Sequence, residues 1–334
     1  MDDAIEQVRR VLWIRTDRLG ETLLNLPAVA ALHASLPSAK LTLLVHPSMP
    51  SLLEALPWMD RALAFDHAVG GLWWRRAFTL ARQLRSFQFD AVVVSNPKKE
   101  LHLAVWLAGI PCRVGYDRKW AQLLTHRVPD RKSLGERHEV EYNLDLAKAV
   151  IDAPMPAPLP QWQLPPFERE QGEVLQLLEQ HGIPSSESFI AVHPWTSNPL
   201  KQWPPTRFQA LIRALSQRLP IVVIGGPEER VRIQEVLPSA LPRVAELVGR
   251  LSLRQLAALL QRARLLVSND SGPVHLAAAV NARTVVLFGT SDPATGPRRW
   301  GPWGVGHAIL HKPSMNDITV DEVVAAVSAA LAHV

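Results

Sequence analysis

The strongest constraint on the fold is a regular alternation between short apolar runs and longer amphipathic segments. The apolar runs predict buried strands: Val11–Arg15, Leu41–His46, Ala91–Ser95, Phe189–His193, Ile221–Gly226, Leu265–Ser268 and Thr284–Gly289. Segments with helical spacing lie between them, among them Trp73–Phe87, Arg207–Arg218 and Leu253–Arg262. Strands that alternate with helices build parallel sheets from βαβ units. The sequence therefore predicts an α/β fold.

A proline-rich segment interrupts this alternation, with six prolines between Ile151 and Pro166. Proline at this density is incompatible with a helix or a central strand and favours an extended linker. The predicted domains are a Rossmann-like domain over residues 1–152, a linker over 153–167, a second Rossmann-like domain over 168–318 and a C-terminal helix over 319–334. A chain of 334 residues has room for two domains of about 150 residues. We expect the two to face each other across a cleft.

Composition narrows the class of protein. Apolar residues make up 47% and charged residues 20%, as in ordinary globular proteins. The single Cys112 excludes an internal disulfide and a cysteine metal site, and with no histidine near it in sequence it is expected to be a small buried or semi-buried residue. No apolar run reaches about 18 residues, and the acidic N-terminus is unlike a signal peptide, so a cytoplasmic location is predicted. The net charge of +5 suits an acidic partner without identifying one.

The stretch after Leu265–Ser268 is the most informative part of the chain. Asn269-Asp270-Ser271-Gly272-Pro273-Val274-His275 follows the strand directly and opens an alanine-rich helix. The first turn of a helix offers unpaired N–H groups and the positive end of the helix dipole. Gly272 permits close approach of the backbone to a ligand, and Asp270 adds a carboxylate at the edge of the sheet where such folds bind ligands. This turn predicts a site for a phosphate-like group beside a hydroxylated one.

Two other loops of the second half fit the same ligand. After His193, the hydroxyl residues Thr196 and Ser197 precede Lys201, a combination that suits a phosphate. After Ile221–Ile224, paired glycines precede Glu228-Glu229, and a carboxylate there suits a ribose diol. Neither His193 nor His275 has a further ligand residue at metal-binding spacing. A hydrogen-bonding or phosphate-contacting histidine is therefore favoured over a metal ligand.

In the first half, the strand ending at Arg15 runs into Thr16-Asp17-Arg18-Leu19-Gly20-Glu21. Glu21 lies in the first turn of the following helix, and its spacing fits two roles: it complements the helix dipole, or it is a general base. The turn lacks the repeated glycines of a dinucleotide fingerprint, which disfavours an oxidoreductase. The basic residues are scattered and form no nucleic-acid-binding motif.

Taken together, these segments resemble the bacterial heptosyltransferases of lipopolysaccharide core assembly, glycosyltransferase family 9. The resemblance covers most of the chain and rests on segments in the same order: Arg15–Glu21, His193–Pro204, Asn269–Ala279, Phe288–Pro293 and Trp300–Pro302. It implies a GT-B fold, with acceptor bound mainly to the first domain and nucleotide sugar to the second. It also implies inverting, metal-independent transfer of heptose from ADP-heptose with no cofactor.

The resemblance also implies roles for individual residues. Glu21 stands where the family has its catalytic aspartate, and Lys201 falls on the lysine that contacts the donor diphosphate. Glu229, with Glu228 as the neighbouring alternative, matches a ribose-binding carboxylate, and Asp270 matches the aspartate that holds sugar hydroxyls. The full set of implied donor-binding residues is Thr196, Ser197, Lys201, Glu229, Leu251, Asp270, Ser271, Gly272 and His275.

The implied acceptor is a phosphorylated, Kdo-bearing lipid A core, for which cations of the first half are candidate contacts. The predicted acceptor-binding residues are Arg18, Lys98, Lys99 and Arg118. Other candidate cations are Arg75, Arg76, Lys119, Arg131 and Lys132. Trp73-Trp74 with Arg75-Arg76 suggests peripheral contact with the inner membrane.

Two alternatives stay open. Glu21 in place of aspartate leaves room for another donor or acceptor, such as an O-antigen, capsule or protein glycan. A non-catalytic nucleotide-sugar-binding protein would bind the donor without forming product.

Overall fold

The structure is a computed structural model and describes residues 8–69, 71–151 and 153–332. The chain divides into two compact units. The first unit is built from the residues up to Ser133 together with Arg137–Trp162. The second is built from Leu134–Glu136 and the residues from Gln163 onward.

The first unit contains a six-stranded parallel sheet in the order β3-β2-β1-β4-β5-β6. Its strands are β1 (Arg10–Arg15), β2 (Lys40–Val45), β3 (Arg61–Ala64), β4 (Ala91–Val94), β5 (Cys112–Tyr116) and β6 (His126–Val128). Its helices are α1 (Leu19–Leu23), α2 (Leu26–Ser35), α3 (Pro50–Leu53), α4 (Trp73–Arg85), α5 (Lys99–Leu107) and α6 (Glu139–Ile151).

The central strand β1 is buried on both faces of this sheet. Leu12 and Ile14 point to the side where α4 contributes Leu80 and Leu84 to the core. Trp13 points to the other side, and its indole N–H donates to Asn25 Oδ1 at 2.8 Å. Burial on both faces explains why β1 reads as a continuous apolar run instead of an alternating one.

The second unit contains another six-stranded parallel sheet, in the order β12-β11-β10-β7-β8-β9. Its strands are β7 (Ile190–His193), β8 (Ile221–Val223), β9 (Val244–Glu246), β10 (Leu265–Asn269), β11 (Thr284–Gly289) and β12 (His307–Lys312). Its helices are α7 (Glu168–Gln180), α8 (Pro205–Ser216), α9 (Leu253–Arg262), α10 (Gly272–Ala279), α11 (Pro297–Trp300) and α12 (Val320–Ala332).

The C-terminal helix α12 belongs to the second unit. Val323 and Val327 are buried in the core of that unit, and the helix packs against α8 and β12. The last two residues of the predicted helix lie outside the described residues.

The proline-rich segment contains neither helix nor strand from residue 153 to residue 167. Its C-terminal end is nevertheless fastened to the second unit. The Leu164 N–H donates to the Ala279 carbonyl at 2.8 Å, and the side-chain amide of Gln261 donates to the Pro165 carbonyl at 3.0 Å. Phe167 is buried as well. This end of the segment is therefore part of a folded unit and not a free spacer.

Each sheet has a point where its strand order reverses. In the first sheet, β1 lies between β2, the next strand along the chain, and β4, which follows a crossover; in the second, β7 lies between β8 and β10 in the same way. In doubly wound sheets a crevice opens at the carboxyl ends of such strand pairs, because the connections leave in opposite directions. The loops that follow β1, β4, β7 and β10 are therefore the places to look for a site.

Candidate active site

The loops after β7 and β10 meet at the reversal point of the second sheet. The strands are in register there, with Ser268 opposite His193. The Lys201 ammonium forms an ion pair with the Asp270 carboxylate, and the Thr196 hydroxyl donates to the Asp270 carbonyl at 3.5 Å. Three residues implied in donor binding are thus in contact.

The carboxylate of Asp270 is almost completely buried. The residue is 7% exposed. Burial raises the pKa of the Asp270 carboxyl above its ordinary value, and the attraction of Lys201 opposes that rise. The charged form of Asp270 therefore depends on the neighbouring ammonium.

Asn269 fixes the loop that carries Thr196 and Lys201. Its side chain is fully buried; the amide donates to the Pro194 carbonyl at 2.9 Å, and Oδ1 accepts the Trp203 N–H at 3.1 Å. One side chain therefore holds both ends of the loop. The sequence motif includes Asn269, but sequence reasoning gave it no role, because its partners lie on another strand.

His193 joins the remaining polar groups of this site. Its Nδ1 lies 3.1 Å from Ser271 Oγ and 3.2 Å from Ser268 Oγ, and its Nε2 lies 3.4 Å from Glu229 Oε2. Ser271 occupies the N-cap position of α10, yet its side chain makes no capping hydrogen bond and faces His193 instead. The hydroxyl of Ser271 therefore does not occupy the first-turn N–H groups of α10.

Glu229 packs so closely against Gly225 that a larger residue would not fit at position 225. A Cβ on Gly225 would lie 2.7 Å from Glu229 Oε2 and 2.9 Å from the Trp195 ring. The carboxylate accepts the Gly226 N–H at 2.7 Å. Burial alone would raise the pKa of Glu229, but the hydrogen bond and charge of His193, with the Gly226 N–H, hold it below the ordinary value. Glu229 is therefore ionised, and its ribose-binding role stays a prediction.

The other implied donor residues surround this cluster. Ser197 is exposed, Gly272 opens α10, and His275 is a buried residue of that helix. Leu251 is half-buried and lies two residues beyond Gly249, whose N–H donates to the Gly225 carbonyl at 2.9 Å. That bond places the Leu251 loop beside the glycine turn.

In the first unit, Glu21 lies in α1 directly after the turn that follows β1. Burial raises the pKa of the Glu21 carboxyl, Arg15 opposes the rise and Asp17 adds to it. Arg15 is itself buried and donates to Asp17 Oδ1 at 2.6 Å. Arg18 is exposed at the N-cap position of α1. A carboxyl with a raised pKa fits a general base, since its proton affinity moves toward neutral pH.

A pocket of about 460 Å³ opens beyond the ends of β4 and β5. It is lined by Trp73, Arg76, Lys98, Lys99, Glu100, Lys119 and Trp120. The ring centroids of Trp73 and Trp120 lie 5.5 Å apart in an edge-to-face arrangement, and Lys99 Nζ lies 4.4 Å from the Trp73 ring. Burial lowers the pKa of Lys98, whose charge also interacts with Asp17 and Glu100. Cations and aromatic rings thus share this pocket.

The four predicted acceptor residues are not all brought together. Lys98 and Lys99 line the pocket, whereas Arg118 does not and instead lies 3.5 Å from Asp130 in an exposed ion pair. Arg18 is exposed on the turn after β1, outside the pocket lining.

Two of the other candidate cations already form ion pairs with carboxylates of the same unit. Arg76 donates to Glu100 Oε2 through Nε at 3.0 Å and Nη2 at 2.8 Å. Lys132 is buried, forms an ion pair with Glu139 and lies 4.1 Å from the Tyr116 ring centroid. The expectation that Lys132 contacts an acceptor is therefore wrong, because a buried ammonium needs an internal counter-ion.

A hydrogen-bonded chain that the sequence did not predict supports the turn after β1. His67 Nε2 lies 2.6 Å from Thr16 Oγ1, and His67 Nδ1 contacts Glu100. The Asn96 amide also donates to Thr16 Oγ1, at 3.1 Å. The residue just before the Asp17–Glu21 turn is thereby tied to the loops after β3 and β4. The pKa of His67 is lowered, chiefly by burial.

Cys112 is half-buried, as expected, but it has a histidine neighbour in space. His126 Nδ1 lies 3.8 Å from its sulfur. Burial raises the pKa of the Cys112 thiol, which disfavours the nucleophilic thiolate.

The described part of the chain contains neither a cluster of metal-ligating side chains nor a membrane-spanning helix. Over residues 8–69, 71–151 and 153–332, no three His, Cys, Asp or Glu side chains are grouped closely enough to hold a metal ion. Over the same ranges no helix is long and apolar enough to cross a membrane.

The chain is similar to a known protein family and to solved structures. The model of glycosyltransferase family 9 (heptosyltransferase) matches residues 77–323. The chain is 29% identical over 305 residues to a Haemophilus influenzae protein named a glycosyltransferase only provisionally, covering 88% of this chain and 86% of that protein. It is 25% identical over 297 residues to lipopolysaccharide heptosyltransferase 3 of Escherichia coli, covering 85% and 83%. The solved E. coli ADP-heptose lipopolysaccharide heptosyltransferase II is similar in fold, with a TM-score of 0.82, 24% identity and coverage of 97% and 99%.

Proposed function

The chain belongs to glycosyltransferase family 9, has the GT-B fold and is a glycosyltransferase; from this premise we propose that it transfers heptose from ADP-heptose to the Kdo/heptose inner core of lipopolysaccharide. The observation that carries the proposal is the cluster at the ends of β7 and β10. There a lysine, a buried carboxylate and a serine hydroxyl stand at the N-terminus of α10. This combination suits a diphosphate joined to a hydroxylated sugar.

The proposed reaction is a single inverting displacement. The acceptor hydroxyl oxygen attacks the anomeric carbon of the heptose while the bond from that carbon to the ADP phosphate oxygen breaks. Glu21 takes the hydroxyl proton, and ADP leaves with the bonding electrons. The products are ADP and a new glycoside of inverted configuration.

On the donor side, Lys201 and the first-turn N–H groups of α10 would stabilise the charge that develops on ADP. Such preorganised groups are the usual source of transition-state stabilisation when a charged group leaves. Asp270 would hold sugar hydroxyls, and Glu229 the ribose diol. Thr196, Ser197, Leu251 and His275 complete the proposed donor contacts, and the mechanism assigns no role to a metal ion.

On the acceptor side, Lys98 and Lys99 are the strongest candidates for an anionic core sugar, because both line the pocket beyond β4 and β5. Arg18 and Arg118 are exposed and would contact more distant anionic groups. With a lipid-linked acceptor, the proposed reaction would take place at the cytoplasmic face of the inner membrane.

A different acceptor or donor is the second candidate function. It is favoured by Glu21, which stands where the family pattern has aspartate and is longer by one methylene. A displacement of about an ångström at a reacting group is enough to change rates strongly. An O-antigen, capsule or protein glycan would then replace the core acceptor.

The deciding experiment incubates the protein with ADP-heptose and Kdo-containing lipid A acceptors and reads product mass. We expect a gain of one heptose with the wild-type protein and a large loss with Glu21→Gln, while ADP binding is retained. Product from another acceptor only would support the second candidate. ADP binding without any transfer would indicate a non-catalytic binding protein.

A further inference from the structure

Three polar side chains of the donor site, His193, Ser268 and Ser271, form a closed triangle. His193 Nδ1 lies 3.2 Å from Ser268 Oγ and 3.1 Å from Ser271 Oγ, and the two hydroxyl oxygens lie 2.9 Å apart. His193 and Ser268 are buried, whereas Ser271 is half-buried at the N-cap position of α10. Ser271 is therefore the member of the triangle that is open to a ligand.

Glu229 determines which nitrogen of a neutral His193 carries the proton. Its Oε2 lies 3.4 Å from His193 Nε2. Burial opposes the ionisation of Glu229, but the hydrogen bond and charge of His193, with the Gly226 N–H, hold its pKa below the ordinary value. A carboxylate has no hydrogen to donate, so the hydrogen between the two groups is on Nε2. Nδ1 of a neutral His193 is then a bare acceptor.

The other neighbours of His193 leave its second proton to the triangle. The Trp195 ring lies edge-to-face with the imidazole, at a centroid distance of 6.4 Å. The remaining charged groups of the site, Lys201 and Asp270, pair with each other. Imidazole is the side chain whose charge ordinarily changes near neutral pH. The hydrogens available in the triangle therefore decide whether a proton on Nδ1 is useful.

With His193 neutral, the triangle holds two hydroxyl hydrogens for its three contacts. One hydrogen goes to Nδ1, and the other lies between the two hydroxyl oxygens. If Ser271 turns its hydrogen toward a phosphate oxygen, Ser268 and Ser271 face each other with no hydrogen between them. Ligand binding then costs a buried hydrogen bond.

A proton on His193 Nδ1 removes this cost. Nδ1–H donates to Ser268 Oγ, the Ser268 hydroxyl donates to Ser271 Oγ, and the Ser271 hydroxyl is left to donate outward. Each contact of the triangle that carries the chain keeps a hydrogen. The positive charge also favours an anionic ligand, and it is balanced on its other side by Glu229.

We infer that His193 is a positioning residue for the donor, which takes up a proton when the diphosphate binds and thereby sets the Ser271 hydroxyl as a hydrogen-bond donor to a phosphate oxygen. The proton comes from solvent and returns to it when ADP leaves, so the reaction consumes none. The inference deepens the proposed function and rests on it for the place of the diphosphate at α10.

The test measures ADP binding by isothermal titration in two buffers of different ionisation enthalpy, because the difference in binding heat gives the number of protons taken up. Near neutral pH, wild-type protein is expected to take up more protons than His193→Gln, whose side chain does not titrate. The ADP phosphate titrates in this range as well, but it contributes to both proteins. His193→Gln is also expected to bind ADP about tenfold more weakly, the range of one hydrogen bond.

Ser271→Ala separates the hydrogen-bonded chain from a simple effect of charge. Without the Ser271 hydroxyl, the Ser268 hydroxyl alone satisfies a neutral His193, so no extra proton is needed. Proton uptake is therefore expected to fall to the value of His193→Gln, although the histidine is intact. If His193 acted through its charge alone, Ser271→Ala would keep the wild-type uptake.

His181 provides the matched control in the same unit. It follows the C-terminal end of α7, and its Nδ1 lies 2.8 Å from the Leu177 carbonyl oxygen. His181→Gln is expected to keep the wild-type ADP affinity and proton uptake. Circular dichroism and the unfolding temperature verify that each variant is folded.

Three results would overturn the inference: equal proton uptake by wild-type protein and folded His193→Gln, wild-type uptake by Ser271→Ala, or an equal loss in His181→Gln. Each of these leaves the proposed transferase standing, since ADP still binds. Failure of wild-type protein to bind ADP would count against both the positioning role and the proposed function.

Discussion

Lys201 and Asp270, which lie 69 residues apart in the sequence, form an ion pair that joins the loop after β7 to the end of β10. The pair is partly closed from water, since the Asp270 side chain is 6% exposed and the Lys201 side chain 28%. An arriving diphosphate therefore competes with Asp270 for the ammonium. The two residues are expected to affect ligand binding in opposite directions.

Lys201→Gln is expected to weaken ADP binding by about ten- to a hundredfold, the range of a lost charge-assisted hydrogen bond. Asp270→Asn removes the competing carboxylate, so ADP binding is expected to stay equal or become tighter while heptose transfer is lost. Isothermal titration with ADP, alongside product mass, measures both effects. An equal loss of ADP affinity in the two variants would show that Asp270 acts mainly by holding Lys201 in place.

Glu21→Gln is expected to lower kcat by about 10²–10⁴, the usual contribution of a general base, without changing ADP affinity. The pH dependence follows from the raised pKa of the Glu21 carboxyl. A base works only when deprotonated, so activity is lost as pH falls through that pKa, at a higher pH than for an ordinary glutamate. Measuring kcat as a function of pH shows this loss of activity at low pH. Glu21 is not the general base if the Glu21→Gln variant keeps the same kcat and the same loss at low pH.

Thr16 and His67 provide a test of positioning by a matched pair of variants. Thr16→Val keeps the shape but removes the hydroxyl that His67 and Asn96 contact. We expect kcat to fall about tenfold, because the turn that carries Glu21 loses its support. Thr16→Ser keeps the hydroxyl and is expected to retain kcat. If both variants have similar kcat, with ADP affinity and unfolding temperature unchanged, the hydrogen bonds from His67 and Asn96 to Thr16 play no part in catalysis.

His102 predicts how stability depends on pH. The residue, in α5, is fully buried, and burial lowers its pKa to about 4. The unfolded chain binds a proton near pH 6.5, so the folded state loses stability as pH falls from about 6.5 to 4, by about 3 kcal/mol. The free energy of unfolding, measured with denaturant at each pH, is expected to change less between about pH 6.5 and 4 in the His102→Leu variant. His46→Leu, at an exposed histidine, serves as the control and is expected to leave the slope unchanged.

The central strands could be predicted from the sequence because burial on both faces makes them continuous apolar runs. The edge strands β3, β6, β9 and β12 could not, and neither could β5, which lies next to the edge strand β6. In β3, the pattern Arg61-Ala62-Leu63-Ala64 has a single buried residue, and β12 alternates half-buried with exposed positions. Edge strands of this kind carry polar residues that resemble loops. Sequence reasoning therefore identified the central strands of each sheet and missed its edge strands, together with β5.

In the candidate site, too, some features could be predicted from the sequence and others could not. The positions of Lys201, Asp270 and Glu21 after strand ends could be predicted because each follows an apolar strand within a motif, and their roles stay predictions. The contacts of Asn269, His193 and His67 could not, since their partners come from strands and loops distant in sequence. Trp73 and Trp74 make the point most clearly: only the packing of α4 decides which of the two faces the pocket.

The double attachment of Asn269 has a consequence for the loop that it holds. The side chain bonds Pro194 at the start of the loop and Trp203 at its end, so the segment between them keeps few alternative conformations. The loop therefore has little conformational entropy to lose when a nucleotide binds, which favours the affinity for the nucleotide. We therefore expect the Trp203 amide, which donates to a fully buried side chain, to exchange its hydrogen with solvent only when the middle of the second sheet opens.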